Sequence, residues 1–123
     1  MIVTIEKSEN LKDRKFNGSV IDISRFKTVT LEHLYIEFSL KVSNCMIDLS
    51  SSLIDKTPGN PHQIIGSTFL ANSSKYLWFQ PSPLRPFKIQ CHSLEESLFE
   101  ILLPEKYKQR EISEIRITLK FDE

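Results

Sequence analysis

Ile115-Arg116-Ile117-Thr118-Leu119-Lys120-Phe121-Asp122 decides the fold. Apolar side chains take every second position and polar ones fill the gaps, the period of a strand with one face in a core and the other in water. The same writing recurs at Ile36, Phe38, Leu40 and Val42 against Glu37, Ser39, Lys41 and Ser43, and at Phe87, Ile89 and Cys91 against Lys88, Gln90 and His92. The chain therefore reads as mainly β, an antiparallel β-sandwich or flattened, jelly-roll-like barrel of about seven or eight strands.

Working outward from these runs, Ile2 to about Glu6 forms a short strand. Asn17-Gly18 is the strongest turn signal, because both central positions of a type I′ turn need positive φ and this pair tolerates it. It predicts a hairpin between a strand ending near Phe16 and one over Val20, Ile21 and Ile23. Val29 to Val42 is the longest extended stretch, with a break expected around Glu32-His33. Cys45 to Ile54 either continues as strand through Met46, Ile47 and Leu49 or starts a helical turn at Ser50-Ser51-Ser52. Pro58-Gly59-Asn60-Pro61 is a loop, and Ile64 to Leu70 another strand. Tyr76-Leu77-Trp78-Phe79 is the densest aromatic run. The three prolines of Pro81-Ser82-Pro83-Leu84-Arg85-Pro86 hold the next segment at an edge or on the surface.

Residues 93–103 admit two readings. Ser93 as N-cap with Glu96 three residues on, and Leu94, Leu98, Ile101 and Leu102 along one face, make a short helix. Phe99, Ile101 and Leu103 in alternation make a hairpin arm. The helix is preferred, because the capping box and the first-turn carboxylates suit the helix dipole. Pro104 stops either one.

With 123 residues the chain is expected to form one domain spanning 1–123, large enough to bury roughly 65–70% of its unfolded surface. Sixteen basic and sixteen acidic side chains cancel, so no global field draws the chain to nucleic acid or an anionic membrane, and little charge opposes self-association. The N-terminal residues turn charged too early for a signal peptide, and no apolar run spans a bilayer. A soluble, cytoplasmic protein with Cys45 and Cys91 as reduced thiols is expected, a Cys45–Cys91 disulfide being the alternative.

No motif names a chemistry. His33, His62 and His92 are scattered, and the neighbours Cys91 and His92 point to opposite faces of a strand, so no metal site is expected. Glycine occurs only three times, too few for a phosphate-cradling loop, and the serines lack a G-x-S-x-G elbow. The paired carboxylates Glu95-Glu96 and Asp122-Glu123 are sequence neighbours rather than convergent acids. No catalytic residues and no cofactor are assigned, and the chain is expected not to be an enzyme.

Binding has two candidates. Lys106, Lys108 and Arg110 flank Tyr107, a pattern that could stack and neutralise a single-stranded nucleic acid, although Glu105 and Glu111 border it and charged loop tips explain it as well. Tyr76, Trp78, Phe79, Pro83 and Arg85 gather residue types enriched at protein-binding hot spots on a segment that proline holds outside. Tyr76 and Trp78 would share one face and Leu77 and Phe79 the other, so at least one face needs cover. The expected function is a structural or protein-interaction module docking a protein partner or a further copy of itself through Tyr76 to Pro86, so that Trp78→Ala with Arg85→Ala weakens assembly. Sandwich and jelly-roll modules of this cut include viral matrix and capsid-type building blocks, an analogy of fold alone. The alternative is a β module binding a small ligand or single-stranded nucleic acid.

Overall fold

In the final strand, Ile115, Ile117, Leu119 and Phe121 are fully buried while Arg116 and Lys120 face solvent, in a computed structural model that describes residues 1–123. This strand, β9 (Ile112–Asp122), pairs on one side with β1 (Ile2–Lys7) and on the other with β3 (Thr28–Val42), all antiparallel. Strand β6 (Ser74–Phe79) continues the sheet, in the order β1-β9-β3-β6, and the short β7 (Pro86–Lys88) also pairs with β3. A second antiparallel sheet runs β2 (Lys15–Asn17), β8 (Leu98–Leu102), β4 (Cys45–Ser51) and β5 (Ile64–Leu70). The two sheets enclose a core of 27 buried residues. Phe38, Phe99 and Phe121 lie fully inside it, each worth roughly 1.5–3 kcal/mol relative to exposure. The architecture is a sandwich, and it does not close into a barrel.

The break expected at Glu32-His33 is a bulge inside one long strand. Leu31 pairs with Leu119 and His33 with Thr118, leaving Glu32 as the extra residue, which lets the inward set continue as Leu34, Ile36 and Phe38. A second shift between Glu37 and Val42 turns Leu40 out, 64% exposed, against its place in the alternation. Cys45–Ser51 takes the strand alternative, and both cysteines are free.

Three local expectations change. The alternation of Phe87, Ile89 and Cys91 gives only the three-residue β7, with Ile89 held by a single bridge to Ile54 and Cys91 beyond any strand, because these side chains are only partly drawn into the core. Asn17-Gly18 makes no hairpin: β2 pairs with β8, and the chain beyond it is irregular, with Val20 80% exposed. Gly18 has no positive φ. It is needed because a Cβ there would overlap the Leu94 carbonyl oxygen. The preferred helix over 93–103 shrinks to one 3-10 turn, Leu94–Glu96, in which Ser93 makes no side-chain cap bond. Burial of Leu94, Phe99 and Ile101 in the sandwich outweighs the local capping signal, so 98–102 form the alternating strand of the second reading, paired with β2 and β4 rather than folded as a hairpin about Glu95-Glu96.

Candidate functional site

Strand β6 is an edge, paired with β3 alone. Its alternation sends Leu77 into the core and leaves Tyr76 and Trp78 outside, 56% and 62% exposed. The edge is blunted at one residue: the Ser74 hydroxyl accepts the Tyr76 N–H at 3.0 Å and donates to the Tyr76 carbonyl at 2.9 Å. The five residues singled out between Tyr76 and Arg85 thus part company. Tyr76 and Trp78 lie on the outer face of the sheet, whereas Phe79, Pro83 and Arg85 meet at a cleft.

That cleft, of about 400 Å³, lies on the open side of the sandwich. Strand β5 contributes Ile64 to Ser67, β6 contributes Phe79, and Pro81 to Pro83 form part of its rim. Leu31, Ile65 and Phe87 continue the core into its walls. Gly66 leaves room there for the end of the Leu31 side chain, which a Cβ would displace. Arg85 stands over the Phe87 ring at 5.0 Å and has no salt bridge, its neighbour Leu84 being 48% exposed.

The outer face of the β1-β9-β3-β6 sheet holds a second arrangement. Register places Glu6, Arg116, Tyr35 and Trp78 in one row across four strands, with Thr4, Thr118 and His33 in the next. A depression of about 310 Å³ is lined by Thr4, His33, Tyr35, Trp78, Arg116 and Thr118. The Arg116 guanidinium lies 4.5 Å from the centre of the Tyr35 ring and 3.6 Å from Glu114. His33 and Trp78 have ring centres 6.0 Å apart, and the hydroxyls of Thr4 and Thr118 are 3.3 Å apart. Desolvation, then the charges of Glu37 and Glu114, pushes the Tyr35 phenol above its ordinary value. Sequence reading missed this group because its members come from four strands. The available signal was Tyr35, an aromatic at a polar position of the β3 alternation.

Lys106, Tyr107, Lys108 and Arg110 are brought together, and each makes a contact within the chain. The Tyr107 hydroxyl accepts the Ser43 N–H at 2.9 Å and donates to the Ser43 carbonyl at 3.3 Å. Arg110 donates to the Lys41 carbonyl at 2.6 Å, Lys106 to the Asn44 carbonyl at 3.4 Å, and both cations lie about 5 Å from the Tyr107 ring. Lys108 pairs with Glu105 at 3.0 Å. The cluster ties down Ser43-Asn44, where the chain leaves β3 for β4 with Asn44 at φ 49°. Hydrogen bonds from the Ser43 hydroxyl and then the Ser43 N–H lower the Tyr107 phenol below its ordinary value.

No group of three or more His, Cys, Asp or Glu lies close enough to hold a metal ion. Burial raises the Cys45 thiol, against a smaller pull from Lys106. No helix is long and apolar enough to cross a membrane.

No family model matches the chain, and no curated protein matches it. Among solved structures it is similar to the coat protein of Tobacco streak virus, determined as a dimer, at 15% identity and a TM-score of 0.31 over 100% of this chain and 86% of that one. A likeness at that level carries no argument about function.

Proposed function

We propose that this chain is a non-enzymatic structural module that assembles with further copies of itself through the open side of the sandwich, where Phe79, Pro83 and Arg85 border the cleft and Leu84, between the last two in sequence, is exposed. The observation that supports this reading is a cleft of mixed lining in which Leu31, Ile65, Phe79 and Phe87 continue the core to the surface, next to a chain segment whose Leu84 is exposed. Covering the apolar part of that lining releases water, and a few apolar anchors within a polar rim that holds an arginine is the usual anatomy of an interface. A second copy is the occupant because nothing electrostatic opposes it: the chain carries zero net charge. Arg85 is a cation without an acidic partner in its own chain, free to meet one of the exposed carboxylates of another copy. An interface of usual size takes about 800 Å² from each partner, a modest share of the 6900 Å² surface.

Light scattering on size-exclusion fractions tests this. Wild-type chain should give a dimer or larger species, and Leu84→Asp with Arg85→Glu should give monomer with an unchanged melting curve. A wild-type monomer at every concentration, or an assembly indifferent to that double variant, rules the surface out.

A further inference from the structure

We propose that the outer face of the β1-β9-β3-β6 sheet binds a neutral sugar ring, with Trp78 as the stacking surface and Thr4, His33, Tyr35, Arg116 and Thr118 as partners for its hydroxyls. The site is separate from the cleft and does not depend on assembly. Its volume, about 310 Å³, stands at the small end of ligand pockets, which begin at roughly 300 Å³. That is room for a ring rather than a chain.

The lining selects the chemistry. A pyranose offers a face of C–H groups and a rim of hydroxyls that both donate and accept hydrogen bonds. Trp78, 62% exposed on a solvated sheet, supplies a large rigid apolar face for the first. The second requires donors and acceptors together. Arg116 donates only, the Thr4 and Thr118 hydroxyls do both, and a neutral His33 offers one of each.

Other occupants fit less well. A phosphate backbone would meet Glu6, Glu37 and Glu114 around one arginine already paired with Glu114, where nucleic-acid binding needs uncompensated cations. A lipid chain or a packed second sheet would have to desolvate Arg116, Glu6, Glu37 and Lys120, at a cost of several kcal/mol for each ion left unpaired. A polyhydroxylated neutral ring leaves those charges wet and uses them as hydrogen-bonding groups.

The labelled chain on an array of neutral and acidic glycans, beside single-stranded oligo(U) and oligo(dT), selects a probe. The strongest glycan is then titrated in solution while the fluorescence of Trp78, the sole tryptophan, is followed. Neutral glycans should bind and shift the emission saturably. Tyr35→Ala and Arg116→Met should each raise Kd at least tenfold, and Arg116 is exposed enough that its variant keeps the fold if Tyr35→Ala does not. An array silent on every glycan, a signal confined to oligonucleotides, or a glycan affinity untouched by Arg116→Met would overturn the proposal.

Discussion

Trp78 and Tyr107 are both aromatic residues near an arginine, and the sequence marks both as candidates for binding. They end in opposite conditions. Tyr107 is half-buried, its hydroxyl exchanges hydrogen bonds with Ser43, and beside it Arg110 donates to the Lys41 carbonyl at the end of β3 and Lys106 to the Asn44 carbonyl. Trp78 stands on an open sheet face beside a depression whose Thr4 and Thr118 hydroxyls bond each other and whose Arg116 pairs with Glu114, with none of them tied to the backbone. An aromatic flanked by cations signals binding only where its neighbours are not tied to the backbone. Otherwise the same composition is a brace.

The contrast can be broken most sharply by stability. Tyr107→Ala removes both the ring and the Ser43 bonds and should lower the melting temperature by roughly 5–10 °C, while Trp78→Ala should move it by less than about 2 °C. Equal losses would show that Trp78 is core after all. Next in size, Arg85→Glu should weaken self-association at least tenfold, about 1.4 kcal/mol, whereas Lys108→Ala should leave it unchanged in a dilution series followed by light scattering. A reversed order would move the interface to the loop.

Titration sharpens the comparison further. The Tyr107 phenol, lowered by Ser43, should ionise before an ordinary tyrosine at about pH 10, and Tyr35, raised by desolvation, after it. For Tyr107 the unfolded chain holds the proton longer, so its contribution to stability grows as pH climbs through its folded value towards the ordinary one. For Tyr35 the folded chain holds it longer, and stability is lost as pH rises from the ordinary value through the folded one. Absorbance near 295 nm in Tyr107→Phe and Tyr35→Phe should lose the early and the late step respectively. The smallest effect belongs to the exposed Lys108–Glu105 pair: Lys108→Ala should shift the melting temperature by less than about 1 °C, as exposed ion pairs contribute little.

What the sequence discloses follows the range of the forces that fix each part. The alternation of Ile115 to Asp122 reports burial against a whole sheet, so it survives every local preference, and the sandwich follows from it. The disturbance at Glu32-His33 was also legible, though its form, a bulge within one strand, depends on pairing with β9. Ser93 and Glu96 misdirect because a capping box is a local preference, overridden once Leu94 and Phe99 are drawn into the core. Asn17-Gly18 misdirects differently, since glycine serves a close approach to Leu94 rather than a turn. The candidate sites were half visible. Phe79, Pro83 and Arg85 do share one cleft, but the row Glu6, Arg116, Tyr35 and Trp78 exists only through the register of four strands, which period-two patterns do not encode.

Hydrogen–deuterium exchange of the full chain at low and high protein concentration tests the central claim most directly, because it reads both regions in one experiment. Concentration should slow exchange in peptides covering residues 79–87 and leave those covering 104–111 unchanged. Protection confined to 104–111, or none anywhere as concentration rises, would contradict the account.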